Sequence, residues 1–457
     1  MKALFLSTAL GLSLSFGVVA LDNTDHAKEQ INPAIPDILS MKERAEVRDS
    51  WLRSRLDTVV PEMMRREGID MWIMVAREYN EDPVVKTMLP ATWLNARRRT
   101  VLVFHDTGEK VERFAVARYA VSDIFPAAWN PEEQPDQWQR LADLITERNP
   151  QKIGLNISDT YALASGLSYS QHKGLLSALP DEYSKRIVSA EKLAVGWLET
   201  RIPAEMETYP EIVRIAHGII AEGFSNKVIT PGETTTEDVV WWFRDRIRSL
   251  GLTTWFHPSV NLQRPDEETK KMTELFSKRQ GPNVIMPGDL LHVDFGITYL
   301  GLNTDTQHHA YVLKPGETEA PAGLKQGLKN ANRLQDILTS HFKVGRSGNE
   351  TVALTRAQAI KEGLNPTVYS HPIGYHGHAA GAAIGMWDNQ GRVIGTGDFP
   401  VNGNTAWSIE LNNVTKIPEW GGQEVKFMLE EDAYFDGTSV QYIDGRQDQF
   451  HLIASDK

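Results

Sequence analysis

Four acids in the C-terminal half of this chain stand inside segments that otherwise read as apolar strand. Asp294 lies in Leu291-His292-Val293-Asp294-Phe295-Gly296 and Asp305 in Leu302-Asn303-Thr304-Asp305-Thr306. Glu410 lies in Thr405-Ala406-Trp407-Ser408-Ile409-Glu410-Leu411, and Glu430 follows Lys426-Phe427-Met428-Leu429. A carboxylate on a half-buried strand is costly unless it is paired or bound to a cation. Singly, each glutamate reads as a salt-bridged or surface acid. Jointly, the four call for a fold that brings positive charge to them.

Asp305 follows Asp294 by eleven positions. If the intervening segment is a hairpin turning at Tyr299-Leu300, the two side chains are directly opposed, about 4.5–5.5 Å apart at Cβ. Carboxylates at that range repel unless a cation sits between them, and a metal pair would accept both. A one-residue slip would put them on opposite faces; two solvated hairpin acids are then the plain alternative. Further on, His371, His376 and His378 fall within Tyr369-Ser370-His371-Pro372-Ile373-Gly374-Tyr375-His376-Gly377-His378. Neutral imidazole binds divalent ions and shuttles protons near neutral pH, although a cluster of loop histidines is also possible from spacing alone. Oxygen-rich ligation with one imidazole suits a hard or borderline divalent ion.

Composition narrows the chemistry. The chain has no cysteine, so thiolate ligation and disulfides are excluded and any metal must sit on His, Asp and Glu. A net charge of −12 leaves no overall basic footprint for nucleic acid. The N-terminus carries Lys2, an apolar Leu4–Leu14 run, and small residues at Val18 and Ala20 before Asp22. This predicts a signal peptide over 1–20 and export, in the periplasmic manner, with no stable membrane insertion after cleavage. An uncleaved anchor is the alternative, but the run is short for a spanning helix.

Periodicity predicts an α/β first domain, 21–197. It holds a helix over Met41–Gly68, strands at Ile69–Val75, Thr100–His105, Arg113–Ala117 and Lys152–Asn156, and a helix over Gln137–Asn149. The Pro-containing stretch Thr200–Pro210 marks the boundary to a second domain, 198–457. There, helices are expected over Pro210–Phe224, Glu237–Leu250 (capped by Thr235 or Thr236) and Leu324–Phe342. Strand-like runs after Pro287-Gly288 complete an α+β domain with a curved antiparallel sheet.

With its order Asp, Asp, His, Glu, Glu and the eleven-residue step of the first pair, the chain resembles the pita-bread metallopeptidases, in particular the Xaa-Pro aminopeptidase and prolidase branch. The family's ligand His, a Gly three positions later and a second His at seven match His371, Gly374 and His378. Ile409-Glu410 and Leu429-Glu430 match its last two motifs, with Glu431 the fallback for a one-residue misregister. The first domain resembles, more weakly, the N-terminal domain of the creatinase branch. The resemblance implies two divalent ions, manganese with cobalt or zinc as alternatives, held by Asp294, Asp305, His371, Glu410 and Glu430. It further implies a metal-bridging hydroxide, Glu410 as proton carrier and His378 as hydrogen-bond partner of the substrate. His376 would belong to the supporting shell or the loop. The implied protein is an exported peptidase that removes the N-terminal residue of peptides, before proline, with a homodimer as the assembly family members often form. A prolidase-like dipeptidase or other small amide or ester hydrolase, and a non-catalytic binding protein, are the alternatives. Two positions depart from the branch: His257 lies too early for its upstream substrate-contacting His, and Met428 stands where Arg is common.

Overall fold

The computed structural model describes residues 34–268 and 283–455. The expected signal peptide lies outside the described residues. Among the described residues, no helix is long and apolar enough to cross a membrane.

Helix α1 (Met41–Glu67) starts where Ser40 and Glu43 form a reciprocal cap and stops at Gly68, whose φ of 60° is left-handed. It is followed by β1 (Met71–Arg77), α2 (Pro83–Met88), β2 (Arg99–Asp106), β3 (Val111–Val116), α3 (Gln137–Arg148) and β4 (Ile153–Leu155). The remaining elements of this half are α4 (Tyr169–Ala178), α5 (Asp181–Ser184), β5 (Ile187–Ser189) and α6 (Glu191–Glu199). The five strands form one sheet in the order β3-β2-β1-β4-β5, antiparallel at β1/β2 and β2/β3 and parallel at β1/β4 and β4/β5. In β1, Trp72 and Met74 pack with α1 and α6, while Met71, Ile73 and Val75 pack with α3 and α4. Both faces are covered, which is why this strand reads as an unbroken apolar run.

The second half opens with α7 (Pro203–Gly223) and α8 (Thr236–Ser249). The helix expected from Pro210 therefore begins seven residues earlier, with Pro210 inside it. Pro203 occupies the first helical position, Glu205 accepts the Ile202 N–H at 3.1 Å, and Glu205 forms a fully buried ion pair with Arg55 of α1. These interactions outweigh the hydrogen bond that Pro210 cannot donate. Thr235 caps α8 as expected.

Strands β6 (Ser259–Gln263), β7 (Leu290–Phe295), β8 (Thr298–Tyr299), β9 (Leu302–Asn303) and β10 (Thr306–Val312) precede α9 (Ala322–Ser340) and α10 (Gly348–Lys361). Then come β11 (Pro366–Val368), β12 (His371–Ile373), β13 (Thr405–Ser408), β14 (Leu411–Ile417), β15 (Gln423–Leu429), β16 (Asp432–Phe435), β17 (Val440–Tyr442) and β18 (His451–Ile453). They form sheets ordered β18-β10-β7-β6, β11-β14-β15 and β12-β13-β16-β17, with β8-β9 a separate hairpin. Every pairing in these sheets is antiparallel except β10/β18. The chain passes from one sheet to another at two breaks, Ile409-Glu410 and Glu430-Glu431. Both glutamates expected inside or at the end of strands thus sit at strand breaks, and a bridge from Gln307 to Glu430 ties two of the sheets together.

Pleat parity decides what each strand offers. Leu291, Val293 and Phe295 of β7 pack into the cluster that contains α7 and α8, so His292 and Asp294 point the other way. In β10, Ala310 joins that helical cluster and Tyr311 the opposite one, so Gln307 shares the face of Asp294.

Candidate metal centre

The first pair is not directly opposed. Asp294 pairs with Gln307 and Phe295 with Thr306, and the same register continues through Tyr299↔Leu302. The turn is Leu300-Gly301, both with positive φ (54° and 83°), one residue beyond the expected Tyr299-Leu300. Moving a two-residue turn by one position shifts every cross-strand partner by two. Parity is preserved, so Asp305 remains on the face of Asp294 as its diagonal neighbour. Carboxylate oxygens of Asp294, Asp305 and Glu430 lie within 4.8 Å of one another, as do ligand atoms of His371, Glu410 and Glu430.

His371 supplies the nitrogen. Its Nδ1–H donates to the Pro372 carbonyl at 3.0 Å, which leaves Nε2 as a bare lone pair. Burial pushes this imidazole down to about 3, so it is neutral. Nε2 nonetheless lies 3.8 Å from Asp305 Oδ2 and 3.7 Å from Glu430 Oε1. A neutral lone pair facing two carboxylates is not an ion pair; the arrangement is favourable only with a cation between them. Among the described residues, Asp305 Oδ1 and His371 Nε2 are buried with no hydrogen-bond partner, as atoms that ligate a metal would be. The donor set therefore fits hard or borderline divalent ions.

Electrostatics agree. Burial pushes Asp294 up to about 6. Burial and the charge of Asp294 push Glu410 up to about 8. Burial, reinforced by neighbouring carboxylates, raises Asp305 and Glu430 well above the usual range. Without a cation, these groups pay for proximity by holding protons.

Gln307 organises the cluster. Its Nε2–H₂ donates to Glu410 Oε1 at 3.0 Å and Glu430 Oε2 at 2.7 Å, and its Oε1 accepts from His292 Nε2–H at 2.9 Å. Ser408 donates to Glu430 Oε1, and Asp305 N–H donates to the Asp432 carboxylate at 3.3 Å. Such supporting donors fix ligand orientation. None was anticipated from sequence. Gln307 was accessible, because it follows Asp305 by two residues on a strand and so shares its face. Tyr369, half-buried, stands 5.2 Å ring to ring from His371.

His378 is exposed at the solvent side, its ring 4.7 Å from His371 and 5.1 Å from Trp255. Trp255 lies over Gly377, where a Cβ would come within 2.2 Å of the indole. Burial, and then the charge of Arg201, pushes His376 down to about 4. His257 is exposed, in contact with Arg244 at 2.9 Å. Met428 donates its backbone N–H to His309 Nε2. The fallback Glu431 faces away from the cluster, toward His217 and His308.

Residues 211–431 match the sequence profile of metallopeptidase family M24. The chain belongs to metallopeptidase family M24. Its M24 segment spans all five candidate ligands and both strand breaks. The fold is similar to solved structures along most of the chain. An X-Pro aminopeptidase from Thermotoga maritima MSB8 superposes with a TM-score of 0.58 at 16% identity, over 86% of this chain and 99% of its own. An Xaa-Pro dipeptidase from Bacillus anthracis does so with 0.52 at 16%, over 91% and 100%. A prolidase from Pyrococcus horikoshii OT3 gives 0.52 at 13%, over 89% and 99%. No curated protein sequence matches significantly. The M24 peptidase is thus an enzyme of pita-bread fold.

Proposed function

We propose that this M24 peptidase is an exported two-metal aminopeptidase that removes the N-terminal residue of peptides before proline. The observation that carries the metal reading is the neutral Nε2 of His371, held without a partner within 3.8 Å of Asp305 and Glu430. Asp294, Asp305, His371, Glu410 and Glu430 would hold the two ions, the first group being Asp294, Asp305 and Glu430 and the second His371, Glu410 and Glu430. Manganese suits this oxygen-rich set, and cobalt or zinc could replace it. The chemistry such a pair supplies when bound is acidification of water and polarisation of the scissile carbonyl.

The chain's own groups do the rest. Glu410 is half-buried and receives a donor from Gln307, so its carboxylate is held in one orientation while it takes a proton from water and passes it to the leaving amine. His378, at the open side against Trp255, donates to the oxygen on which charge develops. Residues 198–457 form the catalytic domain in this reading and 21–197 a creatinase-like companion, with 1–20 removed on export.

Xaa-Pro specificity draws on the neighbours described as an X-Pro aminopeptidase and an Xaa-Pro dipeptidase. Digestion of Xaa-Pro dipeptides alongside Xaa-Pro-Xaa peptides, with metal analysis of the same sample, tests the proposal. Cleavage of the longer peptides is expected; cleavage of dipeptides alone would make the enzyme prolidase-like, and cleavage of neither would remove the proline reading.

A further inference from the structure

Far from the carboxylates in sequence, five arginines line one cleft. Arg77 at the end of β1, Arg97, Arg98 and Arg99 at the start of β2, and Arg118 after β3 line a cavity of about 810 Å³. Its lining contains one carboxylate, Glu78, and an oxygen of that group accepts the Arg98 backbone N–H at 3.3 Å. Arg118 pairs with Glu132 at 2.9 Å, and Arg99 is met by neutral Gln171 and Gln137 at 2.8 and 3.4 Å. Arg97 lies over the Trp93 ring, 4.9 Å from its centroid. Arg77, Arg97 and Arg98 have no ion-pair partner among the described residues.

Gathering like charges this way is unfavourable without a counter-charge. Arg99, the half-buried member, is lowered from its ordinary value chiefly by burial and then by the charge of Arg77, against the opposing charge of Asp136. The chain as a whole carries −12, so the basic cleft is a local exception. Its rim is also aromatic. Tyr79 is 81% exposed and Tyr119 53% exposed. Tyr79 and Arg98 both hold positive φ (66° and 54°). The two loops are cross-braced by Glu78 N–H donating to the Arg98 carbonyl at 2.7 Å. Strained residues held by such bracing concentrate where a ligand is received.

We propose that this cleft binds a nucleotide, its phosphates on Arg77, Arg97 and Arg98 and its base on the exposed ring of Tyr79 or Tyr119. Planar guanidinium forks match phosphate oxygens two at a time. The volume falls within the range of small-molecule sites. The acidic surroundings favour a compact polyanion over a long nucleic-acid strand, whose backbone would leave the cleft into negative potential. Stacking on tyrosine is sequence-tolerant and adds the ring contribution.

The test is calorimetric titration of the metal-loaded full chain with ATP, with inorganic tripolyphosphate and with a tetraglutamate peptide. Saturable one-to-one ATP binding, tighter than either other probe, is expected. The double variant Arg77→Gln, Arg97→Gln should weaken ATP by about ten-fold or more while peptidase turnover and the circular dichroism spectrum stay unchanged. Tyr79→Ala should weaken ATP without changing tripolyphosphate; if the base stacks on the other ring, Tyr119→Ala does so instead. No saturable ATP binding, or ATP binding that survives the arginine double variant and so runs through the metal centre, would overturn the proposal. Tripolyphosphate or tetraglutamate binding as tightly as ATP would equally overturn the nucleotide assignment.

Discussion

Glu430 and Glu431 are consecutive residues whose carboxylates serve opposite faces of one sheet. Glu430 accepts from Gln307 and Ser408 beside Asp305 and His371. Glu431 accepts from His217 of α7 at 3.1 Å and from His308 at 2.9 Å. Burial alone would raise Glu431, but His308 and His217 overcome it and hold the group down to about 2. His217 is pushed up to about 9 by Asp444 and Glu431 against its own burial. One glutamate is thus a charge repelled by its neighbours and the other a charge fully compensated.

That contrast predicts a split between two adjacent alanine variants. Glu431→Ala removes one partner of a buried ion pair and should cost about 3–5 kcal/mol of stability. Glu430→Ala relieves carboxylate repulsion, so the metal-free protein should be at least as stable as wild type while metal binding is lost. Thermal denaturation of the metal-free variants, with metal analysis after reloading, checks both. The opposite pattern would exchange the roles of the two residues.

In the metal-free protein, burial pushes Asp294 up to about 6, and burial with the charge of Asp294 pushes Glu410 up to about 8, above their ordinary 3.8 and 4.5. At these carboxyls the folded state then holds more protons than the unfolded chain between those limits. Buried neutral histidines add stability as pH rises toward the ordinary imidazole value of 6.5, so the carboxylate effect is unopposed above it, and stability should fall as pH rises from about 6.5 to about 8. Divalent ions displace those protons, so added manganese should restore stability and release protons as it binds. Denaturation midpoints across this pH range, with and without manganese, give the answer; a metal-free protein that gains stability over that range would contradict the clustering.

Much of this was legible in the sequence, for identifiable reasons. The four carboxylates stood out because apolar strands rarely carry them, and the paired Asp survived a wrong turn position because a two-residue shift preserves pleat parity. The start of α7 was misplaced because Pro210 looks like a first helical residue, whereas Pro203 at the first helical position, the Ile202–Glu205 cap and the buried Arg55–Glu205 pair together carry the helix back to Pro203. Helix α10 was passed over although Ser347 and Glu350 spell its reciprocal cap. The role of Gln307 required knowing that Glu410 and Glu430, more than a hundred residues away, arrive beside it. No local pattern carries that information.

Gln307→Ala should therefore keep the fold yet lose about 10–100-fold in metal affinity or turnover, the usual cost of removing a group that orients ligands. Metal titration followed by steady-state kinetics measures it. Wild-type values for both would show that the amide does not orient the glutamates.

His378→Ala should lower kcat by about 10²–10³-fold with both ions retained, as expected for a donor to developing charge. Metal analysis of the purified variant separates this from ligation. Loss of an ion on this substitution would mean that His378, not only His371, is a ligand.

The most direct test is metal titration of the metal-free wild-type chain beside Asp305→Ala, with bound metal and peptide hydrolysis read from the same samples. Two manganese ions per wild-type chain, activity that rises with their binding, and an Asp305→Ala variant deficient in both are predicted. Full turnover by metal-free protein, or by Asp305→Ala, would contradict a centre in which these side chains share a pair of cations.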